Sequence, residues 1–466
     1  MNSAIVIGAG MGGLAAAVRL ARRGFEVTVL EARADAGGLA SSFETDGFRF
    51  DAGPYVLLDR PGLEWAFRAL DLDLAERVDL RPVEEIYEVA SRDATVSFYG
   101  SAERTAAGFD RTWPGSGVRY LRHVESMGKR YRRLRPLQER SEPGPADMLG
   151  GSRWLDSIFL HRSLGSVLAG TSLPKPVQDA IAIWTHVAGQ SLREAPSPMG
   201  FVSSLIHTVG CYYPAQGMGS IPQALADAAR QAGVQFRFGT KARTIRTING
   251  AVRGAETEAD EFLKSAVVVS NHNGIGTYLN LVDSLPTEIR RKLSGQPLQS
   301  PGVCAYLAVQ GHPRQPYLRF RLPETGRCRL LISPAAVDPG LCREGWSPAR
   351  LLGPMDFDEA QRLGQAGQQE YLDQLLAETW WREGIEAHHV LATRTPSQWG
   401  AQFHLHRDSM NPVMTARFMR AGRLAHRSPH IRGLYLTGSS THPGQWVSFC
   451  AISGILAANC VIQDLA

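Results

Sequence analysis

The first residues in this chain that can do chemistry are three glycines. Gly8, Gly10 and Gly13 stand as G-x-G-x-x-G within Gly8-Ala9-Gly10-Met11-Gly12-Gly13, directly after the apolar run Ala4-Ile5-Val6-Ile7. Gly8 permits a tight turn, Gly10 lets backbone approach a pyrophosphate, and Gly13 lets a following helix pack closely on the strand. A helix opening here offers free N–H groups and the positive end of its dipole to phosphate oxygens. Glu31, with Ala32 beside it, ends the next alternating segment and can accept both hydrogen bonds of an adenosine ribose. The spacing alone is weak evidence. Placed as strand, turn, helix, strand and Glu at the start of the chain, it implies a dinucleotide site in preference to a plain glycine-rich turn.

The elements that must position these groups follow from the pattern. Residues 4–7 read as a buried parallel strand, 14–23 as an Ala-rich helix with Leu14, Ala17, Val18 and Ala21 toward the core, and 25–30 as a second strand. Gly24 closes the helix. Residues 234–238 and 266–271 read as further strands, the latter ending at Asn271. The 466 residues suffice for two or three structural units, and 44% apolar with 20% charged residues is a globular composition. A net charge of +5 gives no support for nucleic-acid binding. The basic residues include only 5 Lys, a bias read as genomic.

None of the six cysteines is spaced as CxxC, which leaves a zinc site or a dithiol centre without support. The uncharged stretch 4–18 is 15 residues long and broken by four glycines, too short to span a bilayer. A cytoplasmic protein is expected, with a peripheral seat on the inner face of the membrane as an option. No Walker or G-x-S-x-G motif occurs, and without a second G-x-G-x-x-G a tightly held nicotinamide is not expected.

Further segments carry a family resemblance. Ala36-Gly37-Gly38-Leu39-Ala40-Ser41-Ser42, followed by Asp46-Gly47-Phe48-Arg49-Phe50-Asp51-Ala52-Gly53-Pro54-Tyr55, resembles the second flavin segment of the amine oxidase and phytoene desaturase superfamily. The resemblance implies FAD, with Gly37, Gly38 and Leu39 along the pyrophosphate and Gly53, Pro54 and Tyr55 close to the flavin ring. Leu39 stands where many relatives carry arginine. Gly210-Cys211-Tyr212-Tyr213-Pro214-Ala215-Gln216-Gly217-Met218 is similar to another segment of phytoene desaturases, with Gln216 in place of a glycine. In relatives the residue matching Ala242 touches adenine through its backbone.

Gly433-Leu434-Tyr435-Leu436-Thr437-Gly438-Ser439-Ser440-Thr441-His442-Pro443-Gly444 resembles the LYLxGxxTHPG segment of bacterial carotenoid desaturases. That implies Gly438 and Ser439 at the ribityl chain. After Gly444 it implies a helix whose N-terminus, at Gln445, Trp446 and Val447, faces the flavin pyrimidine. Trp446 replaces a small residue and is expected to narrow the pocket. Phe109-Asp110-Arg111-Thr112-Trp113-Pro114-Gly115 and His186-Val187-Ala188-Gly189 look like desaturase landmarks.

Other features stay open. Residues 111–140 hold nine basic and two acidic residues interleaved with Tyr120, Leu121, Val124, Met127, Tyr131, Leu134 and Leu137. They read equally as a basic amphipathic helix for an anionic membrane surface and as a solvated Arg-rich face. Residues 155–173 and 181–187 are apolar and read as core, with a substrate channel or shallow lipid insertion as alternatives. His404 and His406 alternate on a segment read as extended, which can turn both to one pocket wall, and His207 and His442 lie near the flavin motifs, where they can serve as proton acceptors. Structural roles are expected for all four, and His388-His389 have no metal-site spacing.

The chain is thus read as α/β. A Rossmann-type FAD-binding domain is assembled discontinuously from residues 1–95, 206–280 and 421–466, and a second α+β substrate domain from 96–205 and 281–420. The resemblance implies an FAD-dependent oxidoreductase that introduces double bonds into an apolar small-molecule substrate, isoprenoid or polyene in type. A tailoring or amine oxidase and a redox-neutral isomerase or cyclase are the enzyme alternatives. A flavin-free prenyl-binding chaperone and a membrane scaffold are the others. No motif names the catalytic base, the electron acceptor or the oligomeric state.

Overall fold

The computed structural model describes residues 2–187, 190–311, 316–324, 327–421 and 423–466. Of the landmark at 186–189, Ala188 and Gly189 lie outside them. A five-stranded parallel sheet has the order Leu434–Leu436, Val268–Ser270, Ser3–Ile7, Glu26–Leu30 and Gln235–Arg237. Its strands come from the start, middle and end of the chain. The central strand is buried along nearly its whole length, as parallel strands covered on both faces are.

The helix Met11–Ala21 begins three residues before the predicted start. Gly12 and Gly13 are helical, and the reason is packing: a Cβ on Gly13 would stand 2.0 Å from the carbonyl oxygen of Gly8. Across from it lies the C-terminal helix Val447–Leu465. The two touch so closely that a Cβ on Gly454 would sit 2.1 Å from the carbonyl oxygen of Gly12. The C-terminal helix buries Ile452, Ile455, Leu456 and Val461 against this core, each worth about 1.5–3 kcal/mol. It is long and apolar enough to cross a membrane, but 67% of that stretch is buried within the fold.

A second, seven-stranded sheet has the order Ala387–Arg394, Val303–Gln310, Trp346–Gly353, Arg329–Ile332, Leu318–Arg321, Glu85–Ala90 and Thr95–Tyr99. The last two strands fall partly inside the stretch assigned by sequence to the flavin unit. They pair within the seven-stranded sheet, Leu318 opposite Tyr87 and Phe320 opposite Val89, which buries both faces of Tyr87 and Phe98. Val303–Gln310 is a continuous apolar run and takes an interior position, while Ala387–Arg394, with exposed His389 and Val390, forms an edge.

Helices Ala102–Thr112, Ser116–Leu134, Lys175–Val187 and Val202–Thr208 form a cap. The predicted basic helix is the 19-residue Ser116–Leu134. Its apolar residues Tyr120, Val124, Met127, Tyr131 and Leu134 are buried, and Arg122, Lys129 and Arg132 face outward. The apolar face is therefore spent inside the protein. Residues 155–173 form no single helix; Ser157–Leu160 and Leu164–Ala169 are short pieces of it.

Candidate functional site

A cavity of about 850 Å³ opens where the parallel sheet, the seven-stranded sheet and the cap meet. Gly8, Gly10, Met11 and Gly12 line it, together with Gly37, Gly38 and Leu39. Gly10 and Gly37 form a backbone bridge, and a Cβ on Gly38 would lie 3.3 Å from the Cα of Gly10. The first helix has no side-chain cap at Gly10. Its first N–H groups, at Met11, Gly12 and Gly13, therefore have no intrahelical acceptor, and Met11 and Gly12 border open space. Only glycine lets this loop close on its neighbours: a Cβ on Gly10 or Gly12 would stand 2.6 Å from the side-chain amide of Asn271. Asn271, Gly438 and Ser439 also line the cavity.

Glu31, Ala32 and Ala242 line it too. Glu31 is 7% exposed; its Oε2 accepts from the N–H of Ala9 at 2.6 Å and its Oε1 from that of Arg33 at 2.9 Å. Each oxygen keeps one further lone pair for a hydroxyl donor. Ala9 and Gly13 lie behind the wall, one holding Glu31 and the other the strand–helix contact. Gly444 is likewise not part of the lining, whereas Gln445, Trp446 and Val447 after it are. Trp446 stacks on Phe449 at 4.9 Å. The helix starting at Val447 has no side-chain cap, so a second set of free N–H groups opens on the cavity. Gly53, Pro54 and Tyr55 complete the predicted set, and the Cβ position of Gly53 lies 2.4 Å from the carbonyl oxygen of Leu39.

Several lining residues were not foreseen. Arg350 is 6% exposed and donates to the carbonyl of Gly53 at 2.7 Å and to Cys304 Sγ at 3.1 Å. Among the described residues no carboxylate forms an ion pair with it. Its signal was a lone arginine inside the apolar strand Trp346–Gly353. Asn411 Nδ2 donates to Gln299 Oε1 at 2.7 Å and to Gln445 Oε1, so one amide orients two glutamines whose amino groups have no hydrogen-bond acceptor among the described residues. Asp59 is 1% exposed; it accepts from Gly62 N–H, Tyr131 and Ser448. The aspartate before Arg60-Pro61 is a helix N-cap signature that sequence reading can find.

The histidines sort differently from expectation. His404 and His406 line the cavity but do not alternate on a strand: His404 ends the helix Pro396–Phe403 with φ +51°, and His406 starts a short turn. His406 bonds Asn280 at 3.0 Å, and burial pushes both His406 and the cavity-lining His272 down to about 4. His207 lies outside the cavity, bonded to Tyr120 at 2.7 Å and to the carbonyl of Gly100. His442 is also outside, between Arg423 and the carbonyl of Leu137.

This donor set suits FAD. The glycine-lined helix start offers N–H groups to phosphate oxygens, Glu31 offers acceptors to sugar hydroxyls, and the second helix start offers N–H groups to a ring carbonyl. No side chain projects from Gly10, Gly12 or Gly38 into that path.

Comparison with known proteins agrees. The chain is 29% identical to a zeta-carotene-forming phytoene desaturase of Myxococcus xanthus, over 97% of this chain and 92% of that one. It is 26% identical to a lycopene-forming phytoene desaturase of Pantoea ananas, over the full length of both. Its fold is shared with an oxidoreductase from Methanosarcina mazei, with a TM-score of 0.67 and 17% identity over 99% of this chain and 100% of that one. Residues 11–306 match the family described as flavin containing amine oxidoreductase. The chain belongs to that flavin containing amine oxidoreductase family and is an FAD-dependent oxidoreductase.

Proposed function

We propose that the protein introduces double bonds into a linear, apolar isoprenoid of the phytoene type. The observation that carries this is the composition of this cavity. The polar cradle described above runs without a break into a wall of Val56, Leu57, Leu58, Trp184, Leu352 and Met410. FAD, when bound, supplies the two-electron acceptor that takes a hydride from a substrate carbon. In this reading Gly8, Gly10, Met11, Gly12, Gly37, Gly38 and Leu39 hold its pyrophosphate. Glu31, Ala32 and Ala242 hold its adenosine, and Asn271, Gly438 and Ser439 its ribityl chain. Gly53, Pro54, Tyr55, Gln445, Trp446 and Val447 surround its ring, while Ala9, Gly13 and Gly444 shape the loops from behind. Arg350 adds a fixed positive charge beside Gly53. The apolar wall aligns the substrate and excludes water. Residues 1–84, 206–280 and 421–466 act as the flavin unit, and the two sheet-and-cap stretches between them as the substrate unit.

The amino groups of Gln299 and Gln445, with Arg350, favour one second reading, in which the substrate bears an oxygen and the enzyme is a tailoring oxidase. The flavin absorption of the purified protein separates the two. Anaerobic phytoene is expected to bleach it and to yield a product with two hydrogens fewer. Bleaching by amines or polar metabolites alone would overturn the desaturase reading.

The same reading includes docking to a bilayer, since moving an isoprenoid through water costs about 0.8 kcal/mol per methylene. Leu149, Trp154, Leu155 and Ile158 are 75%, 59%, 50% and 79% exposed. Between them Asp156 is buried and accepts from Arg130 at 2.5 Å and Arg133 at 2.7 Å. The pair of arginines pulls Asp156 inward and leaves its apolar neighbours facing out. The exposed Arg140 and Arg162 nearby suit an anionic surface.

A further inference from the structure

An aromatic plug closes one wall of the cavity. Trp184, on the helix Lys175–Val187, lines the cavity and meets Tyr87 and Phe320 edge-on, with ring centroids at 5.3 and 5.8 Å. Behind it Tyr87 stacks on Phe98 at 4.3 Å, and Phe98 meets Phe109 and Tyr120 at 5.4 and 6.0 Å. Tyr87, Phe98, Phe109, Tyr120 and Phe320 are all 2% exposed or less. The rings come from three strands and three helices, so displacing Trp184 means repacking all of them. The hydroxyl of Tyr317, next to the strand of Phe320, donates to the carbonyl of Tyr55. Trp184 and the stretch from Gly53 to Leu57 therefore belong to one wall.

The cavity volume of about 850 Å³ is what a single drug-sized ligand fills. With FAD seated, only part of a long polyene can enter. We propose that Trp184 is the stop for the entering chain end. It fixes which carbon pair is presented for dehydrogenation and how many rounds take place. This inference rests on the desaturase reading above. Each round removes a hydride from one carbon to the flavin and a proton from its neighbour to solvent, the electron pair left behind forms the new C=C bond, and dioxygen or a quinone takes the two electrons from the flavin before the next round. A stiffer, more conjugated chain must slide deeper for the next round, and a rigid floor limits that depth.

The test uses the FAD-loaded full chain with phytoene in air, with a quinone added as a second acceptor, and scores hydrogens lost by mass and absorption of the product. Trp184→Leu is expected to raise the fraction of product that is two hydrogens further oxidised at least fivefold, with Trp184→Phe in between. Phe109→Leu softens the same plug two rings away from Trp184 and is expected to shift the product by less than a third as much. An unchanged product with Trp184→Leu, or an equal shift with Phe109→Leu, overturns the proposal.

A second readout needs no turnover. A fully saturated forty-carbon isoprenoid hydrocarbon, titrated against the flavin band, is expected to bind Trp184→Leu about fourfold tighter for each further methylene buried. Equal affinity also overturns the proposal. Failure of the unaltered protein to convert any polyene would instead strike the desaturase reading, while this titration still reports the depth of the cavity.

Discussion

The hydroxyl of Ser448 donates to the carboxylate of Asp59 at 2.9 Å, joining residues 389 apart in sequence. Ser448 lies in the first turn of the C-terminal helix, and Asp59 is the N-cap of the helix Arg60–Ala69. Tyr131 of the cap donates to the same carboxylate at 2.7 Å. One buried carboxylate thus ties the cap, the helix Arg60–Ala69 and the C-terminal helix start together at the cavity wall.

Replacing Asp59 tests that strut. Asp59→Ala strands two buried hydroxyls and removes a helix cap. At about 1–3 kcal/mol per unsatisfied group and about 1 kcal/mol for the cap, a loss of at least about 3 kcal/mol is expected in urea unfolding. Asp59→Asn keeps one acceptor oxygen and is expected to lose less than half as much. Equal losses would show that the charge, and not the acceptor geometry, matters at this point.

Gly454 makes a sharper case. A Cβ there would meet the carbonyl oxygen of Gly12 at 2.1 Å and the Cβ of Ala15 at 2.9 Å. The clash falls on backbone behind the glycine loop, so relief must move the first helix or the last. Gly454→Ala is expected to cost about 2–3 kcal/mol and to release flavin, measured as the ratio of visible to ultraviolet absorbance. Gly24→Ala is the control. Its φ is +82° but nothing stands within 4 Å, so about 1 kcal/mol of backbone strain is expected, with flavin retained.

These two sites mark the limit of what the sequence makes legible. The glycine loop and Glu31 were readable because turn, helix start and carboxylate lie within 24 residues, where spacing alone implies geometry. The strands of the parallel sheet were readable as apolar runs. Gly454 looks like any glycine in an apolar helix, because its constraint comes from Gly12, far away in the chain. Arg350 and Asn411 are in the same position, with partners at Gly53, Cys304, Gln299 and Gln445. The basic segment was read correctly as amphipathic, yet periodicity cannot say what covers an apolar face. The fold packs it inward against Phe201 and Leu205 and leaves the irregular stretch 149–158 to carry exposed apolar surface. His404 was misread as extended because a left-handed residue at a helix end has no alternating signature.

Buried histidines set the response to acid. His123, His406 and His426 are 6%, 5% and 1% exposed, and burial lowers each to about 4. The unfolded chain binds these protons near pH 6.5 and the folded chain does not. Stability from neutral imidazoles is therefore complete above pH 6.5 and is lost as pH falls toward 4. The ceiling is about 3 kcal/mol per residue, and the sum is comparable to the whole stability of an ordinary fold. Thermal midpoints are expected to drop steeply between pH 6.5 and 4.5. The slope should correspond to uptake of more than one proton on unfolding. A flat profile across this window would mean that these rings are charged in the folded protein.

The exposed apolar cluster gives the last test, because lipid binding and catalysis can be read separately. Trp154→Glu with Ile158→Glu removes the two side chains best placed to enter a bilayer. Each is worth about 1.5–3 kcal/mol when buried, so co-sedimentation with vesicles containing anionic lipid is expected to weaken at least tenfold. Arg122→Glu with Arg132→Glu alters only the outward face of the cap helix. There the loss is expected to be about 1 kcal/mol per charge and to vanish at high salt. In detergent, where the substrate no longer arrives through a bilayer, both double variants are expected to bleach with phytoene like the unaltered protein. Tight vesicle binding by the Trp154 and Ile158 variant would move the lipid contact away from residues 149–158. Its failure in detergent would show that the cluster supports the site itself.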